Sequence, residues 1–545
     1  MSKNLFVGVD GKARKAKEFY VGVNGKARKI VKAYIGDENG KARPFWEKET
    51  TPITDSLEFV SDNNFSMSAT KLWNGTLEYN NGNGNGWTTW DGSEISSSEI
   101  NGRQRIYFRG SRNTVIQGNN AFYSNAWNIT GSNVECNGNI ECLLDYQKVA
   151  AGEHPEMGER CYSYMFYNCS SLTSAPELPA MTLAKDCYHN MFEDCSSLTT
   201  APTLPATTLA YGCYSYMFFG CSSLTTAPVL PAMTLAKNCY HNMFESCRSL
   251  TTAPELPATT LAAGCYYDMF YDCSSLTTAP QLPATSLENY CYFFMFEGCS
   301  SLTTAPALPA TTLAEDCYSY MFRGCSSLTT APTLPATTLA YGCYSYMFNG
   351  CSSLTTAPAL PATTLAEDCY SNMFYNCSSL TTAPALPATT LAKGCYQQMF
   401  ILCNKLTKAP KLPATTLAEN CYYKMFSGCS SLTEAPSLLA TTLAVGCYRE
   451  MFSGCVNLTR IPALNATTLL DYCYNSMFKN CPKVKPATEH SEDYSVFYKV
   501  PIFATATSQP ANSMTDMFSS DTESNVEYHI NTTYWLPKTA SVIIS

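Results

Sequence analysis

The chain has 545 residues, a formal net charge of −9 and 14% charged residues, against the ~25% of an ordinary globular protein. Its length allows roughly three to five domain-sized units, and its 45% apolar content is not that of a disordered chain. The acidic balance argues against a nucleic-acid partner, and no run of about 18 apolar residues offers a membrane-spanning helix. The opening residues lack the apolar core and small-residue cleavage site of a secretory signal, so classical secretion is not expected.

Residues 1–50 read as a β-hairpin segment. Three related units follow one another: FVGVDGKARKAKE, YVGVNGKARKIVK and YIGDENGKARPFW. Asp10-Gly11, Asn24-Gly25 and Asn39-Gly40 are hairpin signals, because a type I′ turn needs positive φ at both central residues. Eight Lys and three Arg make residues 1–47 basic within an acidic chain. Two readings fit: a solvated β-meander, or a docking module that meets an acidic partner through Lys12, Arg14, Lys26, Arg28, Lys41 and Arg43. The segment resembles the GVNGKARK-type repeats at the start of tail- and fibre-associated proteins of phages of gut bacteria. That resemblance implies attachment to other virion proteins through residues 1–50, and assembly into a virion in the host cytoplasm.

Residues 51–150 alternate short strand-like runs (SLEFVS, GTLEYN, RIYFRG, AWNITG) with turn clusters, the pattern of a small all-β sandwich. Four of the six tryptophans lie here. Trp73, Trp87, Trp90 and Trp127 suit a sandwich core; Trp87 and Trp90, beside a Gly-Asn loop, alternatively suit glycan stacking. The sandwich is read as a spacer and N-terminal cap.

Residues 151–482 are dominated by a 26-residue repeat. Cysteines recur every 26 residues from Cys161 to Cys473, and a second series runs in step from Cys169 to Cys481; only Cys136 and Cys142 fall outside. Numbered from the first cysteine, the consensus is C-Y-x-x-M-F-x-x-C-S-S-L-T-T-A-P-x-L-P-A-T-T-L-A-x-x. A period of this length means a solenoid. At 100° per residue, positions 1, 2, 5, 6 and 9 share one arc. In the first copy these are Cys161, Tyr162, Met165, Phe166 and Cys169. The arc predicts an amphipathic helix of two to three turns. S-S-L-T-T-A-P is Thr-rich and ends at Pro, which suits a three- or four-residue strand. One helix and one strand per coil give an α/β solenoid of about 13 coils. The motif MFxxCSSLTTAPxLPATTLAxxCYxxMF resembles BspA-like leucine-rich repeats, which implies a non-enzymatic solenoid and adhesin-like roles.

No cofactor is expected. A C-x7-C spacing is not that of a structural zinc site, so the cysteines are read as a ladder of buried thiols, with disulfides between coils as the rival. His189 and His241 are read as surface residues. Glu315, Asp316, Glu367 and Asp368 fall at predicted helix starts and are assigned to capping. No catalytic or metal constellation is present. Recognition is placed on variable positions four and seven: Tyr164, Tyr216, Phe294, Tyr320 and Tyr346, then Phe219, Tyr271, Arg323 and Tyr375. Aromatics and Arg are the usual binding anchors.

After Cys481 the register breaks, so residues 483–545 read as a degenerate copy and C-terminal cap; Met517-Phe518 echo the repeat after an insertion. The whole reads as a phage adhesin, a tail- or head-associated fibre binding a host cell-surface protein or glycan. The alternatives are a capsid decoration protein and a cell-surface adhesin of a gut bacterium. No membrane insertion is expected. A homo-oligomer is compatible with the chain, although no heptad specifies one.

Overall fold

The structure, a computed structural model, describes strand backbones within residues 6–47. It further describes residues 55–82, 86–117, 127–459, 461–462, 464, 466, 468–484, 510 and 512–517. The basic segment forms three separate antiparallel hairpins: β1 (Phe6–Val9) with β2 (Lys12–Lys15), β3 (Phe19–Val23) with β4 (Lys26–Ile30), and β5 (Lys32–Gly36) with β6 (Ala42–Glu47). Val9 pairs with Lys12 and Val23 with Lys26, so the paired strand ends flank Asp10-Gly11 and Asn24-Gly25, which lie outside the described residues, as does Asn39-Gly40. The third hairpin departs from this plan. Gly36 pairs with Ala42, with five residues between them rather than two, and the register slips at Ala33/Tyr34.

Next come β7 (Leu57–Ser61), β8 (Ser66–Ala69), β9 (Thr76–Asn80), β10 (Thr88–Trp90), β11 (Ile95–Ser96), β12 (Ser98–Ile100), β13 (Arg103–Ser111), β14 (Trp127–Thr130) and β15 (Val134–Asn137). They form two sheets. The larger runs β10-β9-β13-β7-β15, with β12 on β13; the smaller runs β11-β8-β14. Aromatic rings join the two. Trp127 of β14 lies 4.9 Å from Phe108 of β13, 5.0 Å from Trp90 of β10 and 6.0 Å from Phe59 of β7. Helix α1 (Cys142–Ala150), interrupted at Asp145, covers β13. Gly110 permits that approach, since a Cβ there would stand 1.7 Å from the Leu143 carbonyl oxygen.

The larger sheet does not end at β15. It pairs in parallel with β16 (Leu172–Ser174) of the first coil. Single parallel bridges then continue from coil to coil: Ser174 to Thr200, Thr200 to Thr226, and onward along position 14, with a second row along position 22 from Thr182 to Thr208. The three-residue strand expected in every copy is therefore realised at β16 and reduces to one-residue bridges in the following coils.

The predicted helix is absent, which corrects the α/β assignment. Positions 1–9 form a run of consecutive turns. The residues at positions 26, 4 and 8 have positive φ in coil after coil: Asp186 (55°), Asn190 (54°) and Asp194 (57°), then Gly212 (66°), Tyr216 (56°) and Gly220 (70°). A left-handed residue every fourth position cannot be helical. It turns alternate N–H groups in different directions. Met191, Glu193 and Cys195 donate three residues back within their own coil, to Tyr188, Asn190 and Phe192 (3.1–3.3 Å). Asn190, Phe192 and Asp194 donate to Ser215, Met217 and Phe219 of the next coil (2.7–2.9 Å). The turn face is thus a parallel ladder. Asp316 and Asp368, read as helix caps, occupy the left-handed position 26 and have no helix to cap.

Side chains stack between the turn face and the bridge face. The position-2 tyrosines are buried and nearly parallel, with centroids 5.6 Å apart at Tyr162–Tyr188 and 5.9 Å apart at Tyr214–Tyr240. The position-6 phenylalanines repeat at 5.6 Å (Phe192–Phe218) and 5.7 Å (Phe322–Phe348). Each left-handed residue costs about 1–2 kcal/mol, whereas each buried Leu, Met or Phe returns about 1.5–3 kcal/mol. In the second coil, the buried Met191, Phe192, Leu198 and Leu204 together outweigh the four left-handed residues Asp186, Tyr188, Asn190 and Asp194.

All 28 cysteines are free and buried. The position-9 thiol has a specific partner, the Phe carbonyl of the preceding coil: Cys195 to Phe166 at 3.0 Å, Cys325 to Phe296 at 3.1 Å, Cys481 to Phe452 at 3.0 Å. Burial pushes the thiols up, Cys169 and Cys265 to about 12, so they stay neutral and unreactive.

The ladder ends late. Asn475 Nδ2 donates to the Thr515 carbonyl 40 residues on, where the regular spacing is 26, so residues 512–517 resume the stack after an insertion.

Two measurements check this architecture. In Gly324→Ala, the new Cβ meets nothing closer than 3.6 Å, so the change isolates the backbone. The left-handed φ of 73° predicts a loss of about 1–2 kcal/mol in chemical denaturation; a helix would instead gain about 1 kcal/mol. A thiol-reactive chromophore should label almost nothing in the native protein and all 28 cysteines after denaturation without reductant. Fewer labelled thiols would reveal disulfides.

Candidate recognition surface

Positions 3 and 4 lie at the edge of the turn face, and in each of the first eight coils at least one of them carries an aromatic ring. Ser163-Tyr164, Ser215-Tyr216, Ser319-Tyr320 and Ser345-Tyr346 place it at position 4, whereas His189-Asn190, His241-Asn242 and Tyr267-Asp268 place it at position 3. Phe293 and Phe294 fill both. Together these give one unbroken row of rings. Centroid distances run 5.5 Å (Tyr164–His189), 5.9 Å (His189–Tyr216), 5.3 Å (Tyr216–His241), 4.5 Å (His241–Tyr267), 5.0 Å (Tyr267–Phe293), 5.7 Å (Phe293–Tyr320) and 4.4 Å (Tyr320–Tyr346). Position 7 adds flanking groups. Phe219 packs on Tyr216 at 6.0 Å, Tyr271 on Phe294 at 6.4 Å, and the Arg323 guanidinium lies 5.5 Å from the Tyr320 ring centre. Of the residues singled out from sequence, Tyr375 stands outside this row, in a coil with Ser371 and Asn372 at positions 3 and 4.

Every ring of the row is half-buried. Tyr320 and Tyr346 stack at an interplanar angle of 6°, so these neighbouring rings occupy one another's faces and leave edges and hydroxyls for a partner. His189 and His241 are part of the row rather than ordinary surface residues. Burial holds both below the usual histidine range, His241 at about 4, so both are neutral. Their Nδ1 atoms are buried without a protein partner. Position 3 went unrecognised in the sequence because a helical wheel turned it away from position 4; its exchange between Ser and a ring was the available signal.

Carboxylates accompany the row. Burial raises Glu193, Asp268 and Glu297 to about 7 and Asp316 to about 6. Asn242 Nδ2 donates to Glu245 and, at 3.3 Å, to Asp268. Arg323 pairs with Glu297 at 3.2 Å, yet Glu297 Oε2 stays buried and unpartnered.

The tryptophan reading divides. Trp90 is 2% exposed, lies 5.5 Å from Trp73 and donates to the Ser93 carbonyl, so it is core and cannot stack on a sugar. Trp87 is half-buried, and the Arg109 guanidinium, also against Tyr146, lies 4.2 Å from its ring centre. Lys12 and Arg14 pair with Val9 and Val7, Lys26 and Arg28 with Val23 and Val21, and Arg43 with Ile35; Lys41 lies outside the described residues. Among the described residues no His, Cys, Asp or Glu grouping suits a metal ion, and no helix is long and apolar enough to cross a membrane.

The raised carboxylates set a pH dependence. Their folded values exceed the ordinary 3.8–4.5, so these four carboxyls hold more protons in the native state in between. They outnumber the two depressed histidines, which act oppositely, and stability falls as pH rises from about 4.5 to 7. Denaturation midpoints should be higher at pH 5 than at pH 7.5, and Glu297→Gln should flatten the difference. An equal or lower midpoint at pH 5 would contradict the burial of these groups.

Comparison with known proteins returns no matching curated protein and no matching solved structure. A family model described as BspA type leucine rich repeat region (6 copies) matches residues 148–277, 265–407, 315–441 and 344–485. The matches span the ladder of turns, thiols and rings and more than half of the sequence, and the chain belongs to the BspA-type leucine-rich-repeat family.

Proposed function

We propose that this protein is a phage virion adhesin, a tail- or head-associated fibre that attaches through residues 1–50 and presents its solenoid to a host cell-surface protein or glycan. Repeats of this family point to a surface, adhesin-type protein on a binding scaffold rather than an enzyme. The observation that carries the reading is the row of rings from Tyr164 to Tyr346. A scaffold needs an apolar core, but it does not need an unbroken aromatic track along the edge of its turn face, kept continuous by rings at either of two positions. The finer organisation follows: hairpins at 1–50 for docking, a sandwich spacer over 51–150, about 13 coils over 151–482 and a cap over 483–545. Lys12, Arg14, Lys26, Arg28, Lys41 and Arg43 would supply the docking charge.

One observation favours a second reading, a capsid decoration protein without a receptor. The bridge face is a uniform lattice of exposed Thr, such as Thr199, Thr200, Thr207 and Thr208, with no distinctive feature for a partner.

Deleting residues 1–47 separates the two. A fibre so truncated leaves the particle but still binds host cells, whereas a decoration protein binds cells in neither form. Immunogold labelling of particles against residues 161–482 should mark tail tips or fibres. Label confined to cell envelopes, with bare particles, would overturn the virion assignment.

A further inference from the structure

The opening coils and two residues from connecting segments of the sandwich line an open pocket of about 610 Å3. Leu72 and Gln117 come from the sheet region; the other walls come from the first coils, including Tyr164, His189, Tyr216 and His241, where the row of rings begins. From this pocket we infer a binding site for an anionic sugar residue, carboxylated or sulfated. The inference rests on the adhesin reading and names the ligand class at one end of its surface.

Size admits such a ligand, since pockets of a few hundred to 1,000 Å3 hold small molecules. The lining selects its chemistry. Ser163, Ser215, Asn238 and Gln117 alternate with rings, so the walls offer amides and hydroxyls beside apolar ring surface, the two textures of a pyranose. Tyr211 is 45% exposed and stacks on no other described ring, unlike the members of the row.

Two cations, Arg160 and Lys185, outnumber the one carboxylate of the lining, Asp186, and supply the charge preference. Arg160 Nε lies 3.7 Å from Asp186, a loose pairing, and its side chain is 59% exposed, so its guanidinium can reach an anion in the pocket. The Lys185 ammonium sits 5.6 Å from the Tyr211 ring centre. The same edge of the solenoid changes sign further along. Positions 25 and 26, Lys185-Asp186 at the pocket, become Glu315-Asp316 and Glu367-Asp368, where the position-25 carboxylate would repel the group that Lys185 attracts.

Calorimetric titration of the full chain with sodium glucuronate and with galactose 6-sulfate, against glucose and sodium acetate, tests this. The expected result is saturable binding of at least one anionic sugar, about tenfold tighter than glucose or acetate, and the sugar that binds identifies the anion. Arg160→Ala and Lys185→Ala should each weaken it about fivefold or more, and Tyr211→Ala similarly; Lys393→Ala, several coils away, should leave it unchanged. Lys185→Met, which keeps the aliphatic stem, guards against a loss caused by misfolding. Binding of glucose as tight as of the anionic sugars, binding insensitive to Arg160 and Lys185, or no binding at all would overturn the inference. Cell attachment measured in parallel keeps the two readings apart. Attachment retained without anionic-sugar binding defeats this site alone, and attachment lost in the unaltered chain defeats the adhesin reading.

Discussion

The structure depends on one backbone device, the alternation of N–H direction along positions 1–9. One amide closes a turn within its coil and the next reaches the following coil, so a segment of turns behaves as a sheet edge on both sides. Almost every buried amide there must find a partner, and this arrangement supplies one without strand or helix. The left-handed residues at positions 26, 4 and 8 are its conformational cost. The stacked Tyr and Phe ladders follow from it, because bonds that join each residue to the same stretch of the next coil bring identical side chains into contact.

The thiols belong to the same logic. A position-6 carbonyl already accepts the Cys N–H of its own coil, as Phe166 does from Cys169 at 3.1 Å, and receives the thiol of the next coil on its second lone pair. Cysteine is small enough for the packed interior and still offers a weak donor. Alanine would fill less volume, and serine would bring a stronger polar group into an apolar stack. At one edge of the same turn segment the ring row is built by the same periodicity acting on residues that vary from copy to copy.

Much of this was legible in the sequence. The repeat, its buried residues and the paired strands on either side of Asp10-Gly11 and Asn24-Gly25 followed from spacing and turn chemistry. The helix did not survive, because residues placed like Cys161, Tyr162, Met165, Phe166 and Cys169 satisfy a helical wheel and a four-residue turn period equally well. What separated the two was the recurrence of Gly, Asn and Asp at positions 26 and 8, as at Asp186, Asp194, Gly212 and Gly220, which tolerate positive φ. Read as caps and solvent-facing residues, they concealed the turn period. The pocket was beyond sequence reasoning, since Gln117 and His241 meet only through tertiary packing.

The 26-residue register also governs how such a chain can change length. Bonds between coils tie a residue to a fixed place in the adjacent copy, as Asn190 is tied to Ser215 and Cys195 to Phe166. Gain or loss of a whole copy preserves all of those pairings, whereas a single-residue insertion inside a coil breaks them. Length therefore varies in steps of one coil, and near-identical copies offer ready sites for unequal recombination. Such a step among the first eight coils would lengthen or shorten the ring row while leaving both ends of the protein intact.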